Sequence, residues 1–333
     1  MTDPSIRETV LELARARRRA REGRDWAEAD RLRAEIEAAG WKVVDRGTDF
    51  KLTPSHPPDA IEAGRTRYGS SASVPSRLEQ PPTGVASVVL VASDRPTQVA
   101  RAVKGLWGHV PDGTQVVIVA NGRSGDELTP FGGAPGSGAT DPGGPTLEVV
   151  WLSAGLGPAA ALNAGIRRTS AAVVVLLDAG AEPTGDLVSP LVAALADPTV
   201  AVAGGWGSVS LDMRHFTDAP AGEVDVIDAT CFAFRRSDYV ERGPLDERFH
   251  SLRHLATWWS LVLRDEGEGS TARRAIRLAE LPLRRREPGD ERPTNDGPAD
   301  GPRDRAERRD VYRLLDRFGR RSDLYGSTRP NDS

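Results

Sequence analysis

The run Val173-Val174-Val175-Leu176-Leu177 ends in Asp178, and small residues lead from there to Glu182 and Pro183. Five apolar residues without polar alternation need burial on both faces, as in a central strand of a largely parallel sheet. A strand of that kind delivers Asp178 to the sheet's carboxyl edge, where open α/β folds bind ligands. A carboxylate there suits a metal ion or a sugar hydroxyl. The position two residues on is Gly180, so a second carboxylate at that spacing is missing.

The rest of the chain supports an α/β reading. Apolar strand patterns at 87–92, 115–120, 147–152, 172–177 and 200–204 alternate with helical patterns at 97–106, 158–167 and 187–195. Strand structure is expected within 224–234 and a helix over 255–266. Gly122 to Pro145 is rich in Gly, Pro and Ser and reads as a loop or insertion. Before this core, Asp3 and Pro4 start a helix over 4–22. Asp25 with Glu28 forms a capping box for a second helix that Gly40 ends. Two short strands then flank Arg46-Gly47-Thr48 as a hairpin. The expected organisation is a small module over 1–53, a flexible linker over 54–84, a main domain over 85–290, a linker over 291–302, and a C-terminal helix and tail over 303–333. The charge lattice of that last helix suits solvent, or a docked partner.

The chain has 333 residues and a net charge of −4, which excludes a global nucleic-acid signature while leaving local basic segments open. Cys231 is the single cysteine, so neither an internal disulfide nor a thiolate zinc cluster can form, and its apolar neighbours suggest an inert buried thiol. His250 and His254 share a helical face, but no third ligand at matching spacing supports zinc. No apolar run reaches the roughly 20 residues of a bilayer span. These features lead us to expect a cytoplasmic protein, with peripheral membrane association through a partner left open.

From Ser87 onward the ordered segments Ser87–Pro96, Val117–Gly122, Gly155-Leu156-Gly157 with Ala160–Gly165, Leu177–Pro183, Phe234–Ser237 and Gly243–Phe249 together resemble a family 2-like glycosyltransferase of the GT-A fold. The resemblance implies a mixed, mostly parallel sheet flanked by helices, with a small two-helix and hairpin module before it. It implies a nucleotide-sugar donor, a glycan or other hydroxyl acceptor, and inverting transfer. Asp94, Asn121, Asn163, Asp178 and Glu182 are the donor-binding candidates. Asp178 matches the first carboxylate of the family's Asp-any-Asp metal motif and Gly180 replaces the second, so Mg or Mn would be held weakly. No organic cofactor is expected. Where the family places its acidic acceptor-activating pair, this chain has Leu255 and Ala256, and Trp258 replaces a further acidic position. Asp246, Glu247 and His250 are the substitute base candidates. The missing carboxylates keep open an alternative, a non-catalytic descendant that binds a nucleotide, RNA or a protein. A dehydrogenase is a distant third, because the full dinucleotide fingerprint is lacking.

Residues 5 to 53, with Arg24 to Ile36, Gly40, Val44-Asp45 and Gly47-Thr48, resemble the small C-terminal module of cysteinyl-tRNA synthetases. In those enzymes the module serves tRNA recognition, and the aminoacylation core has no counterpart here. Arg21, Arg24, Trp26 and Arg33 are the candidate RNA contacts, arginines for phosphates and the indole for stacking. The opposite reading assigns the charges to helix caps and salt bridges, and the tryptophans to a small core.

Overall fold

The computed structural model describes residues 4–47, 49–92, 96–122, 144–285 and 302–326. Two compact units divide the chain at Ser73/Val74.

In the N-terminal unit, α1 (Pro4–Glu22) and α2 (Trp26–Ala38) precede the antiparallel pair β1 (Trp41–Arg46) and β2 (Asp49–Pro54). Asp25 accepts a hydrogen bond from the Glu28 amide at 3.1 Å, and so starts α2 as the capping pattern predicts. Val10, Ala14, Ile36 and Trp41 make the core, with Leu13, Val43, Phe50 and Leu52 against them. The buried guanidinium of Arg17 lies on Asp45 at 2.7 and 3.1 Å, tying α1 to the hairpin.

The stretch expected as a linker carries defined structure. It begins with the hairpin β3 (Ala60–Glu62) and β4 (Arg65–Arg67), within the first unit. Residues 74–83 then lie along the second unit as a strap. The Arg77 amide donates to the Arg167 carbonyl at 2.7 Å and the Thr83 amide to the Ser170 carbonyl at 2.7 Å. Buried Arg236 reaches the carbonyls of Arg77 at 3.2 Å and Gln80 at 2.5 Å. Backbone pairing of this kind lets a segment poor in large apolar residues hold one conformation.

The second unit is built on an eight-stranded sheet. Its parallel block comprises β5 (Ala86–Ala92), β6 (Gln115–Ala120), β7 (Thr146–Trp151) and β8 (Val173–Leu177), in the spatial order β8-β5-β6-β7. Beside it, α3 (Pro96–Trp107), α4 (Pro158–Ile166) and α5 (Val188–Leu195) are the helices between strands, and β9 (Glu182–Pro183) follows β8. The sheet continues through β10 (Val200–Gly204), while β11 (Gly207–Ser210), β12 (Phe216–Asp218) and β14 (Val226–Ile227) form a small sheet of their own. The strands β13 (Gly222–Val224), β15 (Cys231–Arg235) and β16 (Arg274–Arg277) complete the large sheet. α6 (Arg236–Arg242) and α7 (Leu252–Arg264) intervene, β17 (Leu283–Arg284) pairs with β9, and α8 (Pro302–Phe318) follows. β15 runs antiparallel between β8 and β10, which makes the sheet mixed.

β8 is central, with β5 on one side and β15 on the other, and all five of its residues are buried. That position explains its unbroken apolar run. α4 lies close on the sheet because Gly165 has no side chain. A Cβ there would stand 2.5 Å from Val89 and 2.8 Å from Val119 side-chain atoms.

α8 does not face solvent all round, as its charge lattice allowed. Leu314 and Phe318 are buried, and the Arg317 guanidinium stands 5.5 Å above the Trp258 ring of α7. Asp310 is fully buried on the same helix and accepts hydrogen bonds from the His250 and Ser251 amides at 2.9 and 2.8 Å. Ser251 makes no cap bond with its own side chain, so Asp310 caps α7 from another helix. Beyond α8, buried Arg264 holds the Leu324 carbonyl at 2.6 Å.

Candidate functional site

The carboxyl ends of β5, β6 and β8 open into a cavity of about 630 Å³ whose far wall is α7. Val91, Asn121 and Asp178 stand at the three strand ends, and Leu255, Ala256 and Trp259 come from the helix. This volume falls within the usual range for small-molecule sites, about 300–1,000 Å³. Aromatic packing sets the back wall. Trp259 meets Phe234 edge-on at 5.8 Å and stacks on Trp258 at 5.8 Å. The Trp259 indole N–H is buried without a hydrogen-bond partner among the described residues, although this residue lines the cavity. A buried donor left in that state costs free energy unless a ligand or water accepts from it. Nothing in the sequence marked this residue out, because a tryptophan in an apolar helix reads as core.

Asp178 arrives where the apolar run predicts, exposed at the end of β8 and lining the cavity. One of its oxygens accepts from the Gly180 amide at 2.8 Å, closing a tight turn. Its turn-forming and pocket-lining roles therefore coexist. Asn121 also lines the cavity, but its amide group is already paired. It donates to the Leu156 carbonyl at 3.0 Å and accepts from the Leu156 amide at 2.8 Å, fastening the end of β6 to the loop that enters α4.

Asn163 does not line the cavity; it is a buried bracket. Its side chain donates to the Leu245 carbonyl at 2.9 Å and to Glu247 at 3.0 Å, and accepts from the Tyr239 hydroxyl at 2.9 Å and the Leu245 amide at 3.0 Å. Four bonds use the full capacity of a primary amide. Glu182 is exposed and borders a second recess, next to the cavity and across the Asp178 turn. Asp94 lies outside the described residues.

Of the three base candidates, His250 alone lines the cavity. Among the described lining residues, it and Asp178 are the two titratable ones. Its amide is fixed by Asp310, and its ring Nδ1 lies 3.5 Å from the other Asp310 oxygen. Asp246 is turned to Arg248, with contacts of 2.6 to 3.2 Å. Burial pushes the Asp246 carboxyl up, yet the hydrogen bonds from Arg248 and the charges of Arg248 and Arg313 outweigh it and hold the group below its ordinary value. That makes it a poor proton acceptor. Glu247 accepts from Asn163. Leu255 and Ala256 are buried and apolar, at 2% and 8% exposure, so the wall where an acidic pair is expected carries no charge.

Two of the four N-terminal candidates are engaged in ion pairs. Arg21 pairs with Asp45, and Arg33 donates to Glu37 at 3.0 Å. Trp41 belongs to the core, whereas Trp26 is 58% exposed, beside a cleft it shares with Arg18 and Arg21. Arg24 is exposed, in a left-handed backbone conformation.

Comparison with known proteins places both units. Residues 3–50 match the model of the cysteinyl-tRNA ligase anticodon binding domain. No curated protein matches the chain at a significant level. Among solved structures, GalNAc-T7 with UDP, GalNAc and Mn2+ shares 15% identity at a TM-score of 0.50, over 71% of this chain and 50% of its own. The mannosyltransferase PcManGT from Pyrobaculum calidifontis, in complex with GDP-Man and Mn2+, shares 19% identity at a TM-score of 0.43, over 63% of this chain and 58% of its own. The chain thus spans between half and three-fifths of these relatives. Both are GT-A glycosyltransferases, and the fold shared with GalNAc-T7 is that of this chain.

GalNAc-T7 is named with Mn2+, a cation that prefers a shell of oxygen ligands. Asp178 offers one carboxylate, with an oxygen already bonded to Gly180, and Glu182 borders the other recess. No group of three or more His, Cys, Asp or Glu suited to a metal occurs among the described residues. Mg and Mn prefer six oxygen ligands, and with one carboxylate from these side chains the protein alone does not fit a tightly held ion. The family model for glycosyl transferase family 2 matches residues 87–256, just over half of the 333, and this chain belongs to that family.

Proposed function

We propose that the second unit binds a nucleoside-diphosphate sugar in the cavity at the strand ends and transfers the sugar to a hydroxyl acceptor. The observation that carries this reading is the cavity itself. It is open at the carboxyl ends of three parallel strands, bordered by Asp178 and walled by an unpartnered Trp259 donor. In the reaction the acceptor oxygen attacks the anomeric carbon as that carbon's bond to the diphosphate breaks. The electron pair leaves with the diphosphate and the acceptor proton passes to a base. His250 takes the proton, because it is the imidazole that lines the cavity, and Asp310 positions it. Inversion at the anomeric carbon follows from a single displacement. Among the described residues, Asp178 is the carboxylate at the cavity that would hold any Mg or Mn, which would supply charge to the diphosphate.

The test is calorimetric titration of the full chain with UDP-glucose, UDP-GlcNAc and GDP-mannose, paired with a nucleotide-release assay. Binding of one donor, weakened by Asp178→Ala, with nucleotide release lowered by His250→Gln at unchanged affinity, supports the proposal. Binding without release leaves the non-catalytic alternative standing. The absence of any donor binding contradicts both.

A second reading concerns the first unit. Its match to an anticodon binding domain and the exposed Trp26 favour RNA contact. Charge reversal of Arg21, Arg24 and Arg33 should weaken a salt-sensitive association with tRNA. Unchanged binding would refute it.

A further inference from the structure

We infer that this chain neutralises its donor's diphosphate with arginines in place of a divalent cation. The inference rests on the nucleotide-sugar reading above and deepens it. The recess of about 290 Å³ beside the main cavity is bordered by Gln98, Arg101, Glu182, Arg284 and Arg285. The two hollows meet along the Asp178 turn, since Gln98 and Ala179 line both. Arg101, Arg284 and Arg285 share this recess with the one carboxylate of Glu182.

The fold brings these groups together from three distant segments. Arg101 comes from α3, Glu182 from β9, and Arg284 with Arg285 from the chain at and just after β17. Glu182 and Arg284 are direct partners in the β9–β17 ladder, so pairing of these two short strands fixes the basic pair against the turn. Arg285 lies 5.9 Å from the Trp206 ring centroid. Stacking on an aromatic face holds a guanidinium in a defined plane and suits the geometry of phosphate oxygens. Asp228 reaches Arg285 at 3.7 Å, the outer limit of an ion pair. Gly180 keeps the passage between the hollows narrow in side chains. A Cβ there would stand 3.4 Å from the Asp178 carboxylate and 3.7 Å from the Gln98 side-chain oxygen. A second acid at this position would add negative charge beside Asp178 at the junction of the two hollows.

The experiment measures affinity of the full chain for UDP, GDP, uridine and inorganic pyrophosphate, each in EDTA and in Mn2+. Arg101→Gln and Arg285→Gln are compared with the unaltered chain. Both positions are on the surface of the recess, and circular dichroism checks each fold. The expected result is UDP or GDP binding in EDTA, weakened about tenfold by either substitution, equivalent to about 1.4 kcal/mol. Uridine binding should not change. A requirement for Mn2+, or indifference to both substitutions, would overturn the inference while leaving nucleotide binding in place. Pyrophosphate binding that depends on Arg285 without any nucleotide binding would keep the anion site and remove the nucleotide reading. Failure of all four probes would overturn both.

Discussion

Asn163→Ala separates a scaffold role from a donor-binding role at one position. The side chain is buried and spends four hydrogen bonds on Tyr239, Glu247 and both backbone groups of Leu245. Each such bond contributes about 1 kcal/mol net, and the partners left unmade inside the protein add to the loss. Truncation should therefore cost about 4 kcal/mol. For a unit of this size that corresponds to a fall in melting temperature of roughly 8–16 °C. Tyr239→Phe removes one of the four bonds and should cost about 1 kcal/mol. Differential scanning calorimetry of both variants gives the comparison, with nucleotide affinity measured well below the transition. The reasoning predicts a graded thermal loss and near-normal affinity wherever the variant is folded. An unchanged melting temperature with weakened nucleotide binding would refute it and return Asn163 to the donor site.

Other expectations follow from the same contacts. Gly180→Asp places a second carboxylate two residues from Asp178 without a steric clash, since a Cβ meets only ordinary contacts; Mn2+ affinity, read by electron paramagnetic resonance, should rise, and no gain would contradict the donor-set argument. Burial holds the His254 imidazole below its ordinary value of 6.5, with Arg253 acting in the same direction and the charges of Asp310 and Glu307 opposing. The unfolded chain therefore takes up that proton first, so stability present above pH 6.5 is lost as the pH falls through 6.5 toward the folded value. His254→Gln should flatten the melting temperature against pH between about 5 and 7, and an unaltered slope would rule this histidine out as a cause. Burial pushes the Cys231 thiol up to about 12, so a disulfide reagent should label it in urea and not in the native protein.

The central scaffold was legible because its signals are local. The apolar run of β8 predicted both a buried strand and the placement of Asp178, and the Asp25 capping pattern set the start of α2. What stayed hidden depends on partners distant in the chain. Nothing near Asn163 reveals that Leu245 and Glu247 will surround it. The acid Asp310 reads as one more charge in a surface lattice, yet it is buried as the cap of α7. β16 escaped notice because Arg274-Ala275-Ile276-Arg277 carries two arginines in four residues, and only pairing with β10 and β13 makes it a strand. The strap over 74–83 has the composition of a linker, and its order comes from carbonyls that Arg167, Arg168 and Arg236 collect. That Leu255 and Ala256 carry no acid was plain from the sequence, whereas the basic recess needed three segments brought together.

A crystal of the full chain soaked with UDP or GDP provides the most direct measurement. The account predicts nucleotide density between Asn121 and Ala256, with its phosphates at the Asp178 turn on the side of Arg101 and Arg285. Density elsewhere on the surface, or a cavity that stays empty at saturating nucleotide, would contradict it.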